Sequence, residues 1–418
     1  TSQMIGNDNI VYNMPGGILI NKILDSNKIK EIFNKIIKRH SVFRTNFIVK
    51  DGDIYQRINE NTEFKINIFE SSETEMQNII KHFSKPFDLE KDCLLRVSLY
   101  YLDNAKTLLL IDSHHIIMDG LSLNNLIIEF NRLYNNEFLK EIPVDYSDYS
   151  LWENNSIINN EFSKCENYWV NKFKDYEISD LNLPFDYTQP NGNTYRGKKQ
   201  SYKLSKSKFK QIERYAKSLG ISSYALFVSA FFVLLYKYTG QEDITLGSPF
   251  ANRNLNETKR MVGMFVNNIV LKSHINADIS FAKFAKDMQN QILDDLSNQP
   301  FPFDILIKKL GIKTDGSRNP LFNVMFTYQN NSESTLKIEN ENVDIIEIDN
   351  DISKFDLSLE IKPSNNTINI EYCIDLFKDV TIERLFEHYM NTLESIINNS
   401  SILIKNITII SEQEKNKI

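Results

Sequence analysis

The run Tyr224-Ala225-Leu226-Phe227-Val228-Ser229-Ala230-Phe231-Phe232-Val233-Leu234-Leu235-Tyr236 carries no charge on any face, so as a helix it has to be covered by protein all round. It falls well short of the roughly 20 residues that a membrane span requires. It therefore reads as a buried core helix, and a chain that hides such a helix needs a large core around it. The 418 residues, 41% hydrophobic and 25% charged, can supply one, and that length points to two or three domains, with two as the starting expectation. A net charge of −7 offers no basic field for a phosphate backbone, which argues against a nucleic-acid function. Cys93, Cys165 and Cys373 are odd in number, scattered and without metal-ligand spacing, as expected for a reduced cytoplasmic protein. No basic segment followed by an apolar one opens the sequence, so no signal peptide is read.

Periodicity divides the rest. Helical spacing over Ser26 to Arg39 precedes a β-rich stretch, Val42 to Ile58, with Asp51-Gly52-Asp53 as its turn. A helix is expected near Glu73 to Phe83, then a hairpin of Leu94 to Leu102 and Thr107 to Asp112. Between Tyr176 and Gly197 proline and glycine interrupt any period, so the linker is placed at 176–200. The second half is expected to hold helices near Lys206 to Leu219, Ser222 to Tyr238 and Ser280 to Asn298. Its strands are expected near Asp243 to Ala251, Met264 to Ser273, Phe322 to Tyr328, Asp356 to Ile361 and Thr367 to Ile374. A final strand, loop and helix, with Ile382, Leu385, Phe386 and Met390 on the helix, sits in this half as a similar unit sits in the first. The halves then read as distant repeats of an α+β unit.

That similar unit is the chemically pointed part of the chain. Thr107 to Asp112 is a short apolar run, as in a buried strand. It ends in Ser113-His114-His115-Ile116-Ile117-Met118-Asp119-Gly120. Leu123, Leu126, Ile127, Phe130 and Leu133 then recur at helical spacing, with Ser122 expected as the N-cap. An imidazole suits proton transfer near neutral pH. Adjacent residues on an extended backbone point to opposite sides, so one of His114 and His115 is expected to be catalytic and the other structural. The residues alone do not say which. Asp119 either orients the imidazole or pairs with a cation elsewhere and braces the loop, and Gly120 suggests a tight turn. Three other readings compete: a metal site, although His40, His82, His274 and His388 are scattered; a serine triad, although no Gly-x-Ser-x-Gly elbow appears; and core histidines without a role, against which two in a row beside Asp-Gly weigh.

At this point the sequence resembles a known family, the condensation domains of nonribosomal peptide synthetases, within the chloramphenicol-acetyltransferase-like acyltransferases. His114 to Gly120 matches the His-His-x-x-x-Asp-Gly signature. Arg39-His40-Ser41-Val42-Phe43-Arg44-Thr45-Asn46-Phe47 resembles Arg-His-x-x-Leu-Arg-Thr-x-Phe, and Tyr146-Ser147-Asp148-Tyr149-Ser150-Leu151-Trp152 resembles Tyr-x-Asp-Phe/Tyr-x-x-Trp. Val262 to Asn268 is similar to Ile-Gly-x-Phe-Val-Asn-Thr, Asn298 to Asp304 to His-Gln-Asp-x-Pro-Phe-Glu, and Ser317-Arg318-Asn319-Pro320-Leu321-Phe322 to Ser-Arg-x-Pro-Leu-Phe. The matches run from 39 to 322 in the family's order. Leu121 replaces a frequent Trp or Val, and Asn268 replaces Thr. The family's opening Gln-x-Arg-x-Trp segment is not visible, and Ile410 to Lys415 looks like the start of a connection to an adenylation domain, so an excised piece of a larger assembly line is expected.

The resemblance implies two acetyltransferase-like lobes, 1–175 and 201–405, forming a V-shaped pseudo-dimer with a tunnel between them, and with 406–418 beginning a further linker. It implies peptide-bond formation, in which the α-amine of an acceptor aminoacyl thioester attacks a donor thioester. Both substrates would ride on the 4'-phosphopantetheine of carrier proteins. No cofactor or metal is implied as resident, and an excised monomer with donor and acceptor carriers as partners is expected. His115 is implied as the imidazole that positions or deprotonates the amine, with His114 and Asp119 as bracing residues and backbone N–H groups near Gly120 as oxyanion donors. Arg253 is implied as the partner of Asp119 across the lobes, and Asn267 either lines the tunnel or bonds the strand carrying it. The late motifs resemble the class joining an L-donor to an L-acceptor. A carrier-docking module with degenerate catalysis, or a related acyltransferase or epimerisation domain, is the alternative.

Overall fold

A computed structural model describes residues 10–60, 62, 64–174, 180–189, 194–312, 319–330, 335–338, 341–343 and 345–416. In chain order its elements are β1 (Gly16–Ile20), α1 (Ser26–Arg39), β2 (Thr45–Lys50), β3 (Asp53–Ile58), β4 (Ile66–Ser71), α2 (Met76–Lys81), β5 (Leu95–Leu102), β6 (Thr107–Ser113), α3 (Gly120–Tyr134), α4 (Tyr146–Ile158) and α5 (Ser163–Phe173). There follow β7 (Gly197–Lys203), α6 (Lys206–Leu219), α7 (Ser223–Thr239), β8 (Asp243–Phe250), β9 (Asn267–His274), α8 (Phe281–Ser297), α9 (Phe303–Lys309) and β10 (Val324–Tyr328). The last are β11 (Leu336–Ile338), β12 (Glu341–Val343), β13 (Ile345–Glu347), β14 (Leu357–Lys362), β15 (Thr367–Cys373), α10 (Asp379–Asn398) and α11 (Glu412–Lys415).

These elements form two compact α+β units. One comprises residues 1–161, 251–266 and 333–350; the other comprises 162–250, 267–332 and 351–418. The sequence reading puts the linker at 176–200, part of which lies outside the described residues, whereas the units divide after Glu161. The reason is α5. Its Trp169 and Phe173 are buried in the core around α7, Trp169 Nε1 donates to Asn298 O at 2.8 Å, and Lys172 pairs with buried Asp295 at 2.5 Å. The segments 251–266 and 333–350 belong to the first unit because Val262, Leu336 and Ile338 enter its core and β13 pairs with β1.

The first unit's sheet has the order β13-β1-β6-β5-β4. Only the β4/β5 pair in it is parallel. The apolar stripe of α1, Ile29, Ile32, Phe33, Ile36 and Ile37, is buried in this unit's core, and β2 and β3 form a separate hairpin. Its turn needs positive φ at Asp51 (55°) and Gly52 (88°), the backbone of a two-residue hairpin loop.

The second unit's sheet has the order β7-β15-β14-β10-β8-β9. β14/β10 and β10/β8 are parallel, and the other pairs are antiparallel. Helix α7 is the predicted core helix: Ala225 through Leu235 are all buried. Among the described residues no single helix is long and apolar enough to cross a membrane. The β1-β6-β5-β4 part of one sheet and the β7-β15-β14-β10 part of the other share strand sequence and strand directions, which is the repeat read from pattern.

Candidate active site

Strand β6 delivers the double histidine to the mouth of α3. His114 still bonds as sheet: it bridges Asn13 and its N–H reaches Leu94 O at 3.0 Å. Its ring is 2% exposed, edge-on to Phe87 at 6.2 Å and tilted against Tyr12 at 6.3 Å. The Ile116 N–H donates to His114 Nδ1 at 3.1 Å; a neutral ring then carries its proton on Nε2. His115 is half-buried, and its N–H donates to Tyr12 O at 2.7 Å. The strand geometry ends at His114 and His115 opens the turn that follows, so one imidazole is enclosed and its neighbour is half-buried.

The loop ends on Asp119, not on Ser122. Asp119 is the N-cap of α3: its Oδ1 accepts from Ser122 N–H at 2.7 Å, and Ser122 occupies the third helical position. Gly120 opens the helix without positive φ, and a side chain there would meet nothing within 4 Å. The tight turn expected from Gly120 and the N-cap expected from Ser122 are both corrected, because an aspartate one turn earlier caps the first-turn N–H groups.

Around Asp119 both carboxylate oxygens and the Ser122 hydroxyl are engaged, while the buried Arg253 Nε has no hydrogen-bond partner among the described residues. Arg253 Nη2 lies 2.9 Å from Oδ1, with the two side chains 4% and 1% exposed, and Oδ2 accepts from Phe265 N–H at 3.1 Å. The guanidinium also donates to Ser122 Oγ at 2.7 Å and to Met261 O at 2.8 Å, bonds Thr258 O, and lies 4.0 Å over the Phe265 ring. Burial pushes the Arg253 guanidinium below its ordinary value, and the Asp119 charge opposes this. Ser122 Oγ accepts from Gly263 N–H at 3.0 Å, with Gly263 O and Asp119 Oδ1 each at 2.7 Å for its one proton. Arg253 belongs to the same compact unit as Asp119, so the pair does not run from lobe to lobe as expected. Ser122 as the hub of the cluster was missed. Its place three residues after Asp119 was the available signal, and it was read as a cap.

Other motif residues have structural partners. Arg39 and His40 both hold Glu129, at 3.0 and 2.8 Å. Burial alone would raise the Glu129 carboxyl, but the His40 hydrogen bond and the two basic partners hold it below its usual range. Arg44 donates to Ile37 O and Asn59 O. Asp148 closes a capping box with Asp145, Tyr146 OH donates to Met264 O at 2.8 Å, and the Tyr146 ring occupies the space a Gly263 side chain would need. Asn267, in the second unit, donates to Gln299 O and Phe301 O at 2.7 and 2.8 Å and accepts from Phe303 N–H at 3.2 Å. It therefore bonds the turn leading into α9 rather than its own strand. Ser317 and Arg318 lie outside the described residues. Among the described residues no group of three or more His, Cys, Asp or Glu side chains is placed to hold a metal ion, and the three cysteines are free thiols.

A two-unit α+β fold with His-His-x-x-x-Asp-Gly between strand and helix defines an acyltransferase of the chloramphenicol-acetyltransferase type. The condensation-domain family model matches residues 1–418, and the chain belongs to that family, whose members form amide bonds in nonribosomal peptide synthesis. The sequence is 36% identical over 409 residues to gramicidin S synthase 2 of Brevibacillus brevis, covering 97% of this chain and 9% of that protein. Bacitracin synthase 3 of Bacillus licheniformis is also 36% identical, with 97% of this chain and 6% of that protein covered. The chain thus spans less than a tenth of the length of these relatives. In fold it is similar to the X-domain from teicoplanin biosynthesis, with TM-score 0.87, 17% identity, and 96% and 93% of the two chains covered.

Proposed function

We propose that this domain joins a donor acyl thioester to the α-amine of an acceptor aminoacyl thioester, each carried on the phosphopantetheine arm of a carrier protein. The amine attacks the thioester carbonyl; the C–S bond breaks as the C–N bond forms, the thiol leaves, and the amine gives up one proton. His115 is the imidazole that holds the amine or takes that proton. The observation that carries this role is the contrast in access: His115 is half-buried where His114 is enclosed.

His114 keeps the end of β6 in sheet geometry. Asp119 and Arg253 hold the start of α3, where first-turn N–H groups lack intrahelical acceptors and favour negative charge. Gly120 lies at that terminus, which supports its N–H region as the oxyanion donor. Much of the rate comes from holding two arms in register, since effective molarities of well-oriented reactions correspond to roughly 7–11 kcal/mol. An L-configured donor and an L-configured acceptor are the substrates.

Intact-mass measurement on a reconstituted reaction tests this reading. With loaded carriers, the acceptor gains the mass of the donor acyl group while the donor returns to its free-thiol mass, faster with an L-donor than with its D-isomer. Binding of both carriers with both masses unchanged contradicts it and assigns a docking module.

A further inference from the structure

One buried charge beside the site has no part in that scheme. Asp112 is the charged residue at the end of an apolar run in β6, and it is fully buried two residues before His114. Its Oδ2 accepts from Asn13 Nδ2 at 2.7 Å and lies 3.4 Å from Arg96 Nη1 of β5. Asn13 spends its second amide proton on Lys85 O at 2.9 Å.

Two routes lead from this carboxylate to the histidines. Asn13 sits in the segment whose backbone holds the loop: it bridges His114, Met14 N–H donates to Ser113 O at 2.8 Å, and Tyr12 O receives the His115 N–H. The Arg96 guanidinium lies 4.3 Å over Phe87, and Phe87 packs edge-on against His114. Burying a carboxylate costs stability unless it is paired and hydrogen-bonded, and the side chains that offset that cost here, Asn13 and Arg96, are the ones that lead to the histidines.

We propose that Asp112, acting through Asn13 and Arg96, is a positioning residue that fixes the histidine loop for catalysis. It touches no reacting atom; it sets where the 12–14 segment and Phe87 hold His115 and His114. The inference rests on His115 as the working imidazole. Burial raises the Asp112 carboxyl to about 6, partly offset by Asn13 and Arg96. The groups facing it are the neutral Asn13 amide from the segment before β1, Arg96 from β5 and the backbone N–H groups of Ser113 and Met14, and the Lys85 carbonyl accepts from both Asn13 and Arg96; His114 follows beyond the end of its own strand.

The test uses the whole chain with loaded carriers and compares Asp112→Asn, Asn13→Ala and the double variant with wild type. Each single variant lowers the limiting rate roughly ten- to a hundred-fold, as a small misplacement of a reacting group does, without raising the carrier concentration at half-maximal rate. The double variant is no slower than the slower single one, because Asp112→Asn already interrupts the route that runs through Asn13. The ring signals of His114 and His115 in 15N-histidine NMR shift in both.

At pH 8 Asp112→Asn melts no lower than wild type, since the buried charge is gone, and any advantage fades as pH falls through about 6, where Asp112 takes up its proton. Full rate with unmoved ring signals in Asp112→Asn overturns the proposal. So do effects that multiply in the double variant, or loss of cooperative unfolding at pH 8 in both single variants, which would assign the network to folding. A His115→Ala variant at the wild-type rate sinks the His115 reading and the proposal with it, whereas a slow His115→Ala beside a full-rate Asp112→Asn with unmoved ring signals overturns the positioning alone.

Discussion

Arg253 and Asp119 show how one ion pair can be costly to break. Both are almost fully enclosed, and the pair survives burial because most of its remaining polar edges have partners, Ser122, Met261, Thr258 and the Phe265 backbone, with only Arg253 Nε left without one among the described residues. Replacing Arg253 with Met leaves the Asp119 carboxylate buried without its cation, and such uncompensated charges cost about 3–5 kcal/mol. Urea unfolding of Arg253→Met is expected to show that loss. A change within about 0.5 kcal/mol, the range of ordinary surface substitutions, would mean the pair contributes nothing to the fold. The two histidines differ by exposure rather than chemistry, and the extended pair expected from the sequence is replaced by a bridge residue, His114, followed by a turn residue, His115.

At the scale of elements, helix termini and short connections carry most of the polar chemistry. Helix α11 is one turn, and it is tied to α10 by Glu414, whose Oε1 lies 3.0 Å from His388 Nε2 while Tyr238 OH lies 2.7 Å from His388 Nδ1. The Ser411 backbone N–H and then His388 hold the Glu414 carboxyl down to about 2. A depressed carboxyl contributes stability that is present above its unfolded value, about 4.3, and lost as pH falls through the folded one. Unfolding of wild type and Glu414→Gln is therefore expected to differ at pH 7 and to converge between about pH 4 and 2; a gap independent of pH would remove the charge from the account.

Elements with a strong period were legible before the structure. The bounds read for the first amphipathic helix coincide with α1, Ser26–Arg39, because its apolar stripe faces one core. Helix α7 was legible because it has no polar face at all. Strands β1 and β4, and the short β11, β12 and β13, gave no signal, since their pairing is decided by distant partners such as the β1/β13 register. Ser122 was misread for a local reason: serine and aspartate both cap helices, and three residues separate them.

For the whole molecule, the topology records two copies of one plan, and the double histidine stands in one of them. In the first unit β6 runs into His114 and His115 before α3; in the second β15 runs into Ile374 and Asp375 before α10. Asp375 stands where His115 stands by distance from the strand end, and it is occupied by Thr194 at 2.6 Å and Arg196 at 2.8 Å. The motif was readable as chemistry because it breaks an apolar pattern. The membership of 251–266 in the first unit was not, since nothing in its composition says which core Val262 enters.

The half-buried His115, beside its enclosed neighbour and the Asp119–Arg253 cluster, is the imidazole proposed to serve amide formation. Single-turnover transfer between loaded carriers, followed by intact mass for wild type and His115→Ala with matched melting temperatures, tests it most directly. Transfer by His115→Ala is expected to fall at least roughly a hundred-fold, within the range of a positioned acid-base group, while the variant still unfolds as wild type does. Transfer by His115→Ala at the wild-type rate would contradict it.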